Sequence, residues 1–211
     1  MIDSIYYIAK GLDITLRLYF ITVLFSVPLG LLLALGELSK IGTIKKFVTF
    51  YTWIFRGTPL LLQLFFMYYG LPVMGITLSP LGAASITFII NYSAYLCEIF
   101  RGSIQGINKG QYEAAKVLGM GYKQTLIRVI LPQALRTALP PLSNEAIALI
   151  KDTSLVSIIG TAEILRNSKE LVTRDFTITP FFICGIFYLV LSTFILLVFK
   201  KLEKRMAVSC Q

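Results

Sequence analysis

The chain contains no histidine. A Ser-His-Asp triad, a His-ligated zinc site and histidine ligation of haem are therefore excluded within it. Cysteine is scarce: Cys97, Cys184 and Cys210 lie far apart and form no C-x-x-C pair, which argues against a metal or redox pair. In apolar surroundings they read as buried free thiols. No G-x-x-x-x-G-K-[ST] phosphate loop occurs, so the chain itself is not expected to bind ATP. Met1 to Tyr7 holds Asp3 but neither Lys nor Arg, and no A-x-A site follows the first apolar run. That predicts a retained anchor rather than a cleaved signal peptide.

Charge is also scarce. Charged residues are 15% of the 211, against about 25% in a soluble domain, while apolar residues reach 56%. The composition points to a bilayer. The net charge is nevertheless +9. The basic residues are dispersed rather than clustered on one polar domain, so no nucleic-acid partner is expected.

Charge-free runs locate the membrane segments. Leu18 to Gly36 carries no charge and is long enough to cross a core of about 30 Å. Gly57 to Cys97 is also uncharged, too long for one span and suited to two. Gly70, Pro72, Gly75 and Pro80 mark the turn between them. Thr177 to Phe199 is a further uncharged run, stopped by Lys200, Lys201, Lys204 and Arg205. The pattern predicts an all-α polytopic membrane protein, one domain over 1–211. About five transmembrane helices are expected, near 14–37, 47–70, 82–104, 134–152 and 178–200. Pro140-Pro141 is expected to bend the start of the fourth. Residues 105–133 form the longest basic, water-compatible loop. If the tail is cytoplasmic, so are the 37–46 and 105–133 loops, and that side holds thirteen of the 20 basic residues. The positive-inside rule then predicts a cytoplasmic C-terminus. No internal repeat suggests a secondary transporter built from two halves.

The 105–133 loop carries a pattern. Tyr112, Ala115 and Leu118 recur at helical spacing, and Gly119 and Gly121 close the helix. Glu113-Ala114-Ala115, three residues, Gly119, nine residues, then Val129-Ile-Leu131-Pro132 resembles the cytoplasmic loop of permease subunits of binding-protein-dependent ABC importers. Val129 stands where that pattern usually has Ile. Phe55-Arg56-Gly57-Thr58-Pro59-Leu-Leu-Leu-Gln63, Glu98-Ile-Phe-Arg101-Gly102-Ser-Ile-Gln105-Gly106 and Lys151-Asp152-Thr153-Ser154-Leu155 resemble the polar amino acid subfamily. The resemblance implies half of a translocation pore in the cell inner membrane, paired with a second copy or a paralogue. It also implies two ABC ATPase subunits that bind ATP and Mg, and an extracytoplasmic amino-acid-binding protein. Glu113, Ala114, Ala115, Lys116, Leu118, Gly119 and Gly121 would form the ATPase-coupling helix.

Ionisable groups inside a span cost roughly 2.5–3.5 kcal/mol each and so face partners or cavities. Arg56 and Glu98 lie at comparable depths, which makes an Arg56–Glu98 or Arg101–Glu98 tie feasible. The alternative role for Glu98 is to hold a substrate ammonium or guanidinium. Thr58, Asn91, Tyr95, Ser143, Asn144 and Glu145 fall near the midplane, with Asp152 toward the outer mouth. Asn and Thr offer donors to an amino acid carboxylate; Glu145 and Glu98 offer acceptors to an ammonium. Each also reads as glue between helices. The acidic candidates favour basic cargo such as arginine, lysine or histidine over glutamine or glutamate. A channel or secondary transporter is the rival that needs no ATPase.

Overall fold

The computed structural model describes residues 2–208, and Cys210 lies outside them. All regular structure among these residues is helical. α1 (Ile2–Lys10) leads into α2 (Leu12–Glu37) and α3 (Gly42–Gly57). α4 (Leu60–Phe65) is prolonged by a π turn, Phe66–Gly70, and a 3-10 turn, Leu71–Met74. α5 (Pro80–Gln105) precedes two short helices, α6 (Lys109–Val117) and α7 (Tyr122–Thr125). A π turn at Leu126–Ile130 joins α7 to α8 (Leu131–Asp152). A 3-10 segment, Thr153–Ile159, leads to α9 (Ile164–Asp175) and the long α10 (Thr179–Val208).

Among the described residues three stretches are long and apolar enough to cross a membrane alone: Ile2–Glu37, Pro80–Gln105 and Thr179–Met206. The bent pair α3–α4 makes a fourth. α8, at 22 residues, spans about 33 Å. It is less apolar because Arg136, Asn144, Glu145, Lys151 and Asp152 lie on it.

Proline separates two helices at one place and is accommodated within a helix at another. Span two is not a continuous helix over 47–70: α3 and α4 meet at 100°. Thr58 and Pro59 are extended, with φ −118 ψ 145 and φ −62 ψ 133. Proline disfavours the helical conformation in the residue before it and brings no N–H. Pro140 and Pro141, by contrast, lie inside the uninterrupted α8.

α5 is the central post. Its buried positions are mostly small or polar, including Ala83, Ala84, Ser85, Thr87, Asn91, Ser93, Ala94 and Cys97. Such residues let backbones approach, which is how membrane helices gain contact when lipid already satisfies apolar side chains. Gly30 of α2 shows how close the approach is: a Cβ there would stand 2.7 Å from the Leu96 Cβ. Leu18, Leu64, Phe88, Leu149, Val156 and Ile195 join α2, α4, α5, α8, the 3-10 segment and α10 in the main core. Cys97 and Cys184 are buried free thiols.

A second unit packs at the end of the bundle where α8 finishes. Ile8, Ile164, Leu171 and Cys184 join α1, α9 and α10. Glu163, fully buried, caps α9 by accepting from Leu165 N–H at 2.7 Å and Arg166 N–H at 2.6 Å. Tyr188 of α10 donates to the same carboxylate at 2.9 Å. Gly11 lies against this cap so closely that a Cβ would reach 2.4 Å from backbone atoms of Glu163 and Ile164.

Candidate functional site: a polar cavity and an exposed coupling helix

The break between α3 and α4 creates the site. Phe55 C=O would ordinarily accept from residue 59, but Pro59 has no N–H to give. Two side-chain amides replace it. Asn91 Nδ2 of α5 donates to Phe55 O at 2.9 Å and to Gln63 Oε1 at 3.0 Å. Gln63 Nε2 stands 3.1 Å from Phe55 O, 3.1 Å from Thr58 O and 2.7 Å from Thr58 Oγ1. Thr58 Oγ1 itself donates to Ile54 O at 2.8 Å. The turn is thus closed by hydrogen bonds that no regular helix supplies.

This corner walls a cavity of about 490 Å³, completed by α5 and α8. Arg56, Thr58, Asn91, Tyr95, Glu145 and Asp152 all line it. The Arg56 guanidinium carbon lies 5.6 Å from the Tyr95 ring centroid. Asp152 accepts from Tyr92 Oη at 2.7 Å. Glu145 enters no hydrogen bond or ion pair among the described residues. A cation and two carboxylates therefore face one polar space inside an apolar bundle.

The remaining expected pathway residues fall elsewhere. Ser143 is buried and Asn144 exposed, and neither lines the cavity. The helical repeat explains Ser143, which lies on the opposite side of α8 from Glu145, Ala148 and Asp152; Asn144, one turn before Ala148, sits at the edge of that face and outside the lining. Glu98 stands behind the wall in an ion chain. Arg56 Nη1 is 3.6 Å from Glu98 Oε1, Glu98 hydrogen-bonds Arg101, and Arg101 Nε is 3.7 Å from Glu37 Oε2. Both expected ties form. Glu37 is the member that sequence reasoning misses, since it reads as the polar stop of a span. Gln63 carries no role in the sequence motif that contains it; its place four residues after proline is the available signal.

The second feature is α6. Asn108 Oδ1 caps it by accepting from Gly110 N–H at 2.8 Å. Gly119 ends it with φ +74, and Met120 N–H reaches back to Ala115 O at 3.0 Å. That left-handed closure favours glycine. Ala115 is buried, with partly buried Tyr112 packed near Ile104, Ile130 and Ala134. Gln133 Nε2 ties the loop by donating to Val129 O at 2.8 Å and Gln111 Oε1 at 3.3 Å. Leu118 is 79% exposed beside Val117 at 87%. Glu113, Ala114, Lys116, Gly119 and Gly121 are exposed too. A short, seated helix therefore presents an apolar tip and charged flanks away from the bundle. Among the described residues no group of His, Cys, Asp and Glu could hold a metal ion.

The family model for the binding-protein-dependent transport system inner membrane component matches residues 26–208. The L-cystine transport system permease protein TcyB of Bacillus subtilis (strain 168) is 44% identical over 168 residues, covering 80% of this chain and 72% of that one. The arginine transport system permease protein ArtQ of the same organism is 35% identical over 210 residues, covering 97% and 94%. An amino acid ABC transporter, whose crystal structure was determined with histidines, superposes with a TM-score of 0.90 at 35% identity, covering 97% of this chain and 96% of that one.

Proposed function

We propose that this chain, which belongs to the binding-protein-dependent transport system inner membrane component family, is the pore subunit of an ATP-driven importer of polar amino acids, with basic ones as cargo. The observation that carries this reading is the cavity in which Arg56 faces Glu145 and Asp152. A zwitterion fits that charge pattern: its carboxylate pairs with Arg56 and its ammonium with one acid. The second acid is left for a cationic side chain. Family membership removes the reason to favour a channel or secondary transporter. Glu98 belongs to the ion chain rather than to the cargo.

The chain works with a second copy or a paralogue, with two ATPase subunits that hold the ATP and Mg, and with an extracytoplasmic binding protein. The membrane is the cell inner membrane, crossed several times, with the C-terminus cytoplasmic on the basic-residue count. The α6 tip, Val117 and Leu118 with Glu113 and Lys116 beside it, seats in the ATPase. A rigid helix at that interface can bias a two-state packing of the bundle. The chemistry of hydrolysis belongs to the partner.

The test is uptake of labelled arginine by cells carrying the complete importer, competed by lysine, histidine, glutamine and cystine. Lysine and histidine should compete, and Glu145→Gln should raise the KM for arginine about tenfold, the loss of about 1.4 kcal/mol of charge pairing. Competition by no cationic amino acid sinks the basic reading. The alternative cargo is cystine, favoured by the 44% identity to a relative named for it; strong competition by cystine alone selects it.

A further inference from the structure

We propose that Gln63 is a positioning residue for the cargo, acting through the α3–α4 corner; this rests on reading the cavity as the amino acid site. Gln63 does not line that cavity. Its neighbours on the other side are Ile54, Leu62, Phe66, Met67 and Ile90, around an apolar groove. A polar side chain there is expensive unless its donors and acceptor are used. Gln63 uses all of them on the corner. Its Nε2 spans Phe55 O, Thr58 O and Thr58 Oγ1, while its Oε1 receives Asn91 Nδ2. The residues so clamped, 55 to 58, bracket Arg56, the cation of the cavity.

The clamp has a geometric consequence. Residues 58 and 59 are extended and make no helical turn of their own, so no helical continuation holds the last turn of α3, which carries Arg56. The amide circuit does, by tying the end of α3 to α5 through Asn91 and to the start of α4 through Gln63. Without Gln63, Asn91 Nδ2 still reaches Phe55 O, but Thr58 O and Thr58 Oγ1 lose their amide donor beside an apolar groove, and the corner relaxes to recover one. Arg56 then moves relative to Glu145 and Asp152. Binding should weaken while the moving parts of the transporter remain intact.

The experiment uses the complete importer reconstituted in proteoliposomes, carrying Gly57→Cys as reporter and Cys210→Ser. Position 57 lines the cavity, and a Cβ placed there would meet no atom within 4 Å. Cys97 and Cys184 are buried from a water-soluble maleimide. Arginine and cystine are titrated as protectants of the reporter thiol. Gln63→Met, unbranched and of similar length, should raise the half-protecting concentration about tenfold. The maximal transport rate at saturating amino acid should stay within about threefold, the pattern of lost binding rather than lost turnover. Gln63→Asn combined with Asn91→Gln, which exchanges the lengths of the amide pair, should recover most of the protection. If Gln63→Met fails to assemble, Gln63→Glu carries the same expectation, since it keeps the acceptor and loses the donors. An unchanged half-protecting concentration in these variants overturns the proposal. If neither amino acid protects the reporter thiol when Gln63 is intact, the cavity reading itself fails, and this inference with it.

Discussion

α5 and α10 are both uninterrupted helices of membrane-crossing length, and they live in opposite surroundings. In the most apolar stretch of α5, 67% of residues are buried; in that of α10, 6% are. The greasier helix is the outer one. In water this order would be inverted, because burial of apolar surface drives folding there. In a bilayer Leu, Ile, Val and Phe are already satisfied by lipid, so α10 can display Phe182, Ile186, Leu189, Val190 and Phe194 outward. The interior goes to side chains that pack closely or pair: Ala83, Ala84, Ser93, Asn91 and Tyr92 on α5. What makes α5 central is its smallness and polarity, not its hydropathy.

The most forceful way to break this comparison is to add the same bulk to both surroundings. Gly30→Val inserts a side chain where α2 and α5 backbones nearly touch, with Leu96 Cβ at 2.7 Å and Ser93 O at 3.2 Å from the new Cβ. Overpacking of about 3 kcal/mol is expected, enough to remove most assembled protein. Gly185→Val on α10 meets no atom within 4 Å and should stay within about 0.5 kcal/mol of the parent. Detergent-extracted yield and thermal midpoint by fluorescence-detected size exclusion check both. Equal losses at the two sites would mean that α10 is covered by protein.

A smaller effect separates the two helices by charge. Arg101, near the end of α5, joins Glu98 and Glu37, whose side chains are 20% and 11% exposed. Arg101→Ala leaves two acids without their shared partner. Breaking a buried pair costs about 3–5 kcal/mol, and partial exposure reduces that here to about 2 kcal/mol. Lys201, toward the corresponding end of α10, is exposed, and its replacement by Ala should change stability by less than about 0.5 kcal/mol. Chemical denaturation in micelles reads the difference. If Arg101→Ala costs no more than Lys201→Ala, the ion chain is ornamental.

The same contrast explains what the sequence discloses. Helices in lipid announce themselves by the absence of charge, so 82–104 and 178–200 begin within two residues of the start of α5 and α10. α8 is recognisable as a span only as a compromise, because its polar face serves the cavity. The cavity is legible residue by residue: Thr58, Asn91, Tyr95, Glu145 and Asp152 stand out as intramembrane polar groups, and the fold gathers them. Ser143 qualifies on depth alone, and depth ignores that it lies on the far side of α8 from the cavity. Proline is the least readable element. Pro28, Pro140 and Pro141 lie within continuous helices, whereas Pro59 separates two. The difference is tertiary: Asn91, far along the chain on α5, helps satisfy the carbonyl that Pro59 orphans, and no local rule can see it.

The smallest expected effect concerns a polar group of α10 that is tied to a buried acid. Tyr188 Oη donates to Glu163, whose carboxylate also caps α9. Burial raises the Glu163 pKa above its ordinary 4.5, against the pull of these hydrogen bonds, which favour the charged form. A raised folded-state pKa means that the native state holds the proton more tightly than the unfolded chain. The resulting stabilisation is fully present below about pH 4.5 and is lost as pH rises through the raised value. Tyr188→Phe removes one donor to the carboxylate, so it should push that pKa higher still. The variant should lose about 1 kcal/mol from the missing hydrogen bond. It should lose more at about pH 8 than at about pH 5, because the ionised carboxylate is the form deprived of its partner. Thermal midpoints at the two pH values, compared with those of Thr193→Val on α10, provide the measurement. An equal loss at both would show that Glu163 keeps one protonation state throughout; no loss at either would leave α10 joined to the α9 cap by packing alone.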